Sequence, residues 1–502
     1  MMHRPNSPPP CIRPSLQGAG IFLLAWLTFA VMQFASPGLA GIDGYYHATI
    51  AHIVWQHGIH FAFPYLPFTT LNADHFVDMH MLFHIVQSPF TAWLPADRAV
   101  KYAEATFCAT LFTLFFFILR LHRIRFPVLW TIFLFAATPI FLYRLNLPRP
   151  PVFAVFYILL AFHFLIHRHK TGIFLVAMAF AWTYKAFPIL IPMALFAIIV
   201  FWHTERKIAH ELLWLTLGGM AAGLIITPWF PDNVIFLWDA IRMKILTSNF
   251  HTHVGNEWYP YDTWYLLQRA YLPLAAVAIG LWITDRHEWK SDPPRLFWMM
   301  MSLFWMVMLF KSRRFAEFFV PSAVMFLAFA LRPHLDQLTL RWQRSNWRPL
   351  AAITAVSIML VYTATQTFSD EVKQMAGRAP ITAYAGGANW LKNHTPKGSL
   401  VFHTDWDDFP RLFFFNQHNR YIVGLDPDYM RLHDAKLYQQ WRNISRGENQ
   451  HPAKSILKQF GARFVFTDNR HKKFRKYADR SDLMRTVFHD TYTTVYEIIN
   501  SP

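Results

Sequence analysis

The sequence predicts an α-helical polytopic membrane domain of about eleven spans, followed by a small exported α/β domain. Three observations carry this. The 502 residues are 54% hydrophobic and only 15% charged, whereas soluble chains hold roughly a quarter of charged residues. Apolar runs recur between residues 18 and 366, with basic residues collected in alternate connections. From 367 to 502 that pattern stops, and short helix-like and strand-like stretches replace it. Abundant Leu, Ile, Val and Phe exclude collagen-like and disordered chains. Cys11 lies in a Pro-rich tail and Cys108 in an apolar run. Neither a disulfide framework nor a thiolate metal site fits them, so any metal must use Asp, Glu or His. In such a chain the net charge of +17 reports topology and anionic lipid, not a nucleic-acid partner.

Residues 1–17 are polar and Pro-rich and read as a disordered cytoplasmic tail. The apolar stretch that follows to Ser36 reads as an uncleaved anchor rather than a signal peptide cut near Gly38-Leu39-Ala40. Further apolar segments lie near 99–119, 127–143, 152–166, 171–184, 188–202, 211–228, 264–284, 296–310, 315–331 and 349–366, several of them short for a span. With the N-terminus inside, the positive-inside loops are Arg120 to Arg125, His167 to Lys170, Arg206-Lys207, Arg286 with Lys290 and Arg295, and Arg332 to Arg348. Loops 37–98, Arg144 to Pro151, 229–263 and Lys311 to Arg314 then face outward, and an odd span count exports residues 367–502. The compartment this implies is a bacterial cytoplasmic (inner) membrane, with the C-terminal domain periplasmic. In that domain a helix-like stretch over Ile381–Asn393, an apolar run at Leu400–Phe402, a helix over Ile456–Phe460 and a strand at Arg463–Phe466 suggest a small α/β unit.

The residues with chemistry fall in the outward loops. Asp43 follows the first span in Asp43-Gly44-Tyr45-Tyr46-His47; it is either the cap of a helix starting near Tyr45, or a metal ligand or general base. The same loop ends in a dense set that includes Asp74, Asp78, His80 and His84. His80 and His84 are four apart, a spacing that suits either a metal-binding pair or a packed helix face. Glu257 sits among Gly255, Asn256 and Trp258 with no salt-bridge partner at helical spacing. Lys311-Ser312-Arg313-Arg314 opens a late span, where guanidinium groups either snorkel or clamp a phosphate. Lys185 is the main ionisable residue placed deeper in the span pattern.

The order of Asp43-Gly44-Tyr45-Tyr46, Glu257 and Arg313-Arg314-Phe315 resembles the GT-C superfamily of polytopic glycosyltransferases, most of all the catalytic subunit of oligosaccharyltransferase. The resemblance spans residues 43–409. It implies that Asp43 and Glu257 belong to a metal-bearing active site and that Arg314 faces the lipid pyrophosphate. Asp78-Met79-His80 resembles the Asp-x-His of protein O-mannosyltransferase-like members. Trp406 and Asp407 match two positions of the Trp-Trp-Asp-Tyr-Gly motif of oligosaccharyltransferases; the other reading is Trp406 packed on its own domain with Asp407 and Asp408 solvated. The loop Tyr143 to Pro151 departs from the family, offering Arg144 and Arg149 in place of an acidic pair.

The implied function is transfer of a sugar from a polyprenyl-phosphate or polyprenyl-pyrophosphate donor to a glycan, lipid or protein acceptor on the outer face. Asp43, Glu257 and Asp78 are the catalytic candidates, Arg313, Arg314 and Arg149 the donor-phosphate ligands, and Trp406 and Asp407 the acceptor contacts. Asp43, Glu257 and His80 are the residues that could hold a divalent cation, Mg or Mn. In the metal-free version Asp43 is a general base and an arginine stabilises the departing phosphate. The rival classes are a transporter or lipid flippase, and an inactive glycan-binding scaffold.

Overall fold

The computed structural model describes residues 14–243, 255–284, 292–343 and 347–499. The bulk of the polar tail with Cys11, the stretch Ser248 to Val254, and the loop residues Arg286 and Lys290 lie outside them. The chain is mostly helical with a small C-terminal sheet. Its first part holds α1 (Pro14–Ala35), α2 (Asp43–His57), α3 (Met81–Gln87), α4 (Ala96–Leu121), α5 (Pro127–Ala136), α6 (Pro139–Leu145), α7 (Pro151–Ile166) and α8 (Lys170–Thr183). Then come α9 (Leu190–Glu205), α10 (Glu211–Ile225), α11 (Asp232–Ile241), α12 (Thr263–Arg269), α13 (Tyr271–Ile283), α14 (Pro293–Lys311), α15 (Ala316–Gln343) and α16 (Trp347–Ala376). Six of the described helices are long and apolar enough to cross a membrane, or up to eight if each bent pair is one span; α7, α8 and α10 are shorter apolar helices. This is a multi-pass membrane architecture.

Two local features position the functional end. The α5–α6 pair bends by 89° where Pro139 starts the second limb and the Thr138 side chain accepts the Ile140 N–H. A proline is accommodated at a first helical position, where its missing N–H has no partner to lose. The bend throws α6 and the loop after it across the end of the bundle. Elsewhere, α8 and α10 approach through Gly219 and Gly223, spaced as a small-xxx-small motif that lets helix backbones meet. A Cβ at Gly219 would clash with the Phe174 carbonyl oxygen, and one at Gly223 would lie 2.7 Å from the Ala181 Cβ.

The C-terminal part holds α17 (Ala385–His394), β1 (Leu400–His403), α18 (Phe409–Phe415), β2 (Arg420–Tyr421), α19 (Pro427–His433), α20 (Ala435–Ser445), α21 (Pro452–Phe460), β3 (Phe464–Asp468), α22 (Lys472–Ala478), β4 (Met484–His489) and β5 (Thr493–Ile498). The five strands run in the order β2-β1-β3-β5-β4, parallel among the first three and antiparallel at β5 and β4. A 3-10 turn at Ile381–Tyr384 precedes α17, so the expected helix start is tighter than an α-helix. Period-2 alternation decides what covers each face. Val401, Phe464, Phe466 and Val495 point into one core with Phe409, Phe413 and, from the first loop, Tyr46, Phe63 and Phe76. Phe402, Val465 and Tyr496 point into the other with Trp441, Ile456 and Phe474. One face of the sheet is thus built on the loop after α1. Backbone bonds from Tyr421 N–H to the Tyr65 carbonyl at 2.8 Å and from Thr70 N–H to the Tyr429 carbonyl at 3.1 Å fix the junction.

The α8–α10 contact makes a testable point. Gly219→Val should cost about 1–3 kcal/mol, the usual range for overpacking, and lower the unfolding temperature of the detergent-solubilised protein; an unchanged temperature would show that the two helices part freely.

Candidate functional site

A cavity of about 790 Å³ lies between the helical part and the α/β part. Asp43, Asp78, His80, Arg149, Glu257, Arg313, Arg314, Trp406 and Asp407 all border it, so the topology brings together the catalytic, phosphate-binding, acceptor and cation candidates, whereas Asp74 and His84 do not line it. Arg144, Tyr184 and Lys185 join them.

At its centre, Glu257 is held by three guanidinium groups. Its Oε2 accepts from Arg149 Nη2 at 2.9 Å and from Arg144 Nη1 and Nη2 at 3.3 Å, while Oε1 lies 3.5 Å from Arg314 Nη1. The Glu257 carbonyl accepts the Ser312 hydroxyl at 2.7 Å, tying its loop to the turn before α15. Burial alone would raise the Glu257 carboxyl, but Arg149, Arg314 and Arg144 hold it well below the usual range. Arg144 also donates to Glu317 at 2.8 Å, a carboxylate fully enclosed in the first turn of α15. Arg314 donates to the Tyr184 hydroxyl at 2.7 Å and lies over the Trp258 ring. Arg314 is therefore tucked in with partners and not a snorkelling residue. Arg313 is turned away, donating to the Pro260 carbonyl at 3.1 Å across the Tyr261 ring.

Asp43 does not cap a helix through its side chain. Ile42 is the N-cap, and Asp43 is the first residue of α2, where the positive end of the helix dipole favours a carboxylate. Its side chain is half exposed, and Arg149 Nη1 lies 3.4 Å from Oδ2. It is the accessible carboxylate at the mouth, whereas Glu257 is committed.

The His80 and His84 pair does not present two ligands from one helical face. His80 is the N-cap of α3 and stacks on Tyr184, while His84 points into the interior. Asp78 Oδ2 lies 2.7 Å from His84 Nδ1, and His84 Nε2 lies 2.8 Å from His47 Nδ1. Asp78 also accepts the His80 backbone N–H at 2.9 Å. Burial pushes the His80 imidazole down to about 3, with Asp78 opposing and His84, Lys185 and Arg314 adding to the fall. The link from Asp78 to His47 spans sequence separations with no local period, and sequence reasoning missed it.

Asp43, Glu257 and His80 do not assemble as a metal site. Glu257 is engaged by Arg144, Arg149 and Arg314, Arg149 also approaches Asp43, and the three side chains are not a group close enough to share one ion. Among the described residues, the group of three or more such side chains close enough for one ion is His122, His163 and His167, none of which lines this cavity.

On the α/β side, Trp406 is half-buried against the outer-face core and also borders the cavity. Asp408 is buried rather than solvated, accepting the Tyr384 hydroxyl at 2.7 Å. Burial, then Asp405 and Asp43, raises the Asp407 carboxyl well above its ordinary range.

A second cavity of about 700 Å³, mostly apolar, meets the first at Tyr184, Lys185, Phe236, Trp258, Arg314, Asp426 and Tyr429. Ile235, Leu237, Ile241, Phe315 and Phe318 line it.

The fold is similar to that of solved GT-C structures. Comparison with solved structures finds the oligosaccharyltransferase AglB of Archaeoglobus fulgidus. In its apo form the TM-score is 0.67 at 11% identity, over 92% of this chain and 71% of that one. Its complex with an inhibitory peptide and a dolichol-phosphate gives 0.63 at 13%, over 92% and 71%; the same enzyme has also been solved with zinc and sulfate. ArnT from Cupriavidus metallidurans bound to undecaprenyl phosphate gives 0.58 at 14%, over 96% of this chain and 97% of that one. At such identities the likeness is one of fold. No protein-family model and no curated protein matches the sequence.

The buried acid makes a pH prediction. Burial, reinforced by Asp405 and Asp468, pushes Asp408 up to about 8, so the folded state keeps a proton that the unfolded chain releases near pH 4. Its contribution is fully present below that pH and is lost as pH rises through about 8. Asp408→Asn should gain stability over the parent between pH 5 and pH 8.5 in thermal unfolding; a constant difference would refute the assignment.

Proposed function

We propose that the protein is a membrane glycosyltransferase that moves a sugar or glycan from a polyprenyl-phosphate or polyprenyl-pyrophosphate donor to a glycan, lipid or protein acceptor on the outer face of a cytoplasmic membrane. The observation that carries this reading is the junction of a charged cavity and an apolar one at Arg314, Lys185 and Tyr184. An anionic head joined to a hydrocarbon tail is the ligand such a junction fits. The fold shared with proteins solved with dolichol-phosphate and undecaprenyl phosphate supports it.

In this reading residues 18–366, with loops 37–98 and 229–263, hold the donor. The unit 367–502 offers Trp406 and Asp407 to the acceptor from the opposite wall. The acceptor hydroxyl oxygen bonds to the anomeric carbon while the bond from that carbon to the phosphate oxygen breaks, its electron pair leaving with the phosphate. The hydroxyl proton passes to Asp43, the accessible carboxylate. Arg149, Arg314 and Lys185 stabilise the charge that grows on the leaving phosphate. Glu257 acts through the arginines: it fixes three guanidinium groups at one point and limits their mutual repulsion. Asp78 orients His84 and His47 on the same wall. Because the cavity's donor set does not suit a cation, no step passes through a metal.

The test is reconstitution in liposomes of the parent protein, Asp43→Ala and Arg314→Ala, with radiolabelled polyprenyl-phosphate and polyprenyl-pyrophosphate sugars and a membrane extract of acceptors. The parent should place label on an acceptor and release the carrier. Asp43→Ala should lower the rate by about 100-fold or more, the scale of general-base catalysis, and Arg314→Ala should weaken turnover with both donor types. Movement of intact donor across the bilayer without covalent transfer would replace this reading with a flippase, and saturable binding with neither would replace it with a scaffold.

A further inference from the structure

The end of the helical domain away from the cavity carries a second cluster of chemistry. The N-terminal end of α4 packs beside Tyr45 near the cavity mouth. The helix is 26 residues long, so at about 1.5 Å per residue its far end lies about 39 Å away. His122 caps that far end. The N-terminus of α7 borders the cavity at Pro151, and its last turn and C-cap carry His163 and His167, four residues apart on one face.

The three rings converge. One nitrogen from each lies within 4.8 Å of the others. His122 Nε2 and His163 Nδ1 are 3.3 Å apart, long for a hydrogen bond but matched to an edge of a metal tetrahedron: with metal–nitrogen bonds of about 2.0–2.1 Å, two tetrahedral ligands stand about 3.3 Å apart. His163 and His167 have ring centroids 4.7 Å apart, and His122 and His167 are 5.2 Å apart. The site is held from behind. His122 is buried against Phe162 and Phe329, and its backbone N–H donates to the Ile118 carbonyl at 3.1 Å. The left-handed residues Arg123 and Arg168 turn the chain away immediately after each helix, leaving His167 reachable from solvent. Arg332, a cation that acts on His122, is paired with Asp292 at 2.9 Å.

We propose that His122, His163 and His167 bind one borderline-soft divalent transition-metal ion, Zn²⁺ in the first instance, with a fourth position open to water or another donor. Three imidazoles and no carboxylate favour Zn²⁺, Co²⁺, Ni²⁺ or Cu²⁺ over Mg²⁺ or Ca²⁺. The ion ties α4 to α7 at the end opposite the cavity, and α7 carries that constraint along its length to the segment holding Arg149. The site is independent of whether the chain transfers sugar.

The test uses tag-free, chelator-stripped full-length protein in detergent, titrated with Co²⁺ as a spectroscopic probe and with Zn²⁺ by calorimetry, alongside His167→Gln and His163→Gln. Because 25 histidines give background binding, the comparison decides. The parent should take one tight equivalent, show the visible band of low-coordinate Co²⁺, and gain unfolding temperature with Zn²⁺. His167→Gln, altered at an exposed position, should keep the apo unfolding temperature while losing the band and at least tenfold in affinity. Equal affinity in parent and variants, or no tight equivalent in the parent, would overturn the site.

Discussion

Everything at the cavity depends on one carboxylate facing three guanidinium groups. Arg144, Arg149 and Arg314 come from α6, from the loop before α7 and from the turn before α15, and without a central anion their charges would drive these segments apart. Glu257 removes that repulsion and adds direction, since guanidinium donors are fixed in a plane. The half-exposed Asp43 and the enclosed Glu317 extend the network at either side. Across the whole lining, eight basic side chains (Arg144, Arg149, Lys185, Arg269, Arg313, Arg314, Lys373 and Arg378) face six carboxylates (Asp43, Asp78, Glu257, Asp370, Asp407 and Asp426), which leaves the cavity positive. That excess is what an anionic head group requires.

The same arithmetic separates this site from a metal centre. A cation held by Asp43 and Glu257 would need both to be available, yet Arg149 bridges them, 3.4 Å from Asp43 and 2.9 Å from Glu257. A guanidinium fork and a divalent ion both neutralise phosphate. The fork does so with a fixed charge that follows no free-metal concentration.

Much of this was legible in the sequence because topology alone places it. Apolar runs and basic connections sort the loops, and Asp43, Asp78, Glu257, Arg314 and Trp406 all fall in loops assigned to one side. What was not legible depends on angles and long-range meetings. Arg144 reaches Glu257 because the chain bends at Thr138-Pro139, and no local pattern states the direction of that bend. His47 and His84 meet across 37 positions. His122 and His167 sit in loops whose basic character speaks first of topology, so their convergence with His163 stayed hidden behind a simpler explanation. The three-arginine clamp was likewise masked, since Glu257 has no partner at helical spacing.

The α/β unit uses Tyr46, Phe63 and Phe76 as part of its own core. These residues leave the ribosome before α3 to α16 are made, and the strands they pack against leave it after them. The wall of the cavity that carries Asp43 therefore waits, incomplete, through insertion of the whole helical domain. Biogenesis and competence are separated in time: a partly made chain has no closed site, and the last strands of the sheet finish it.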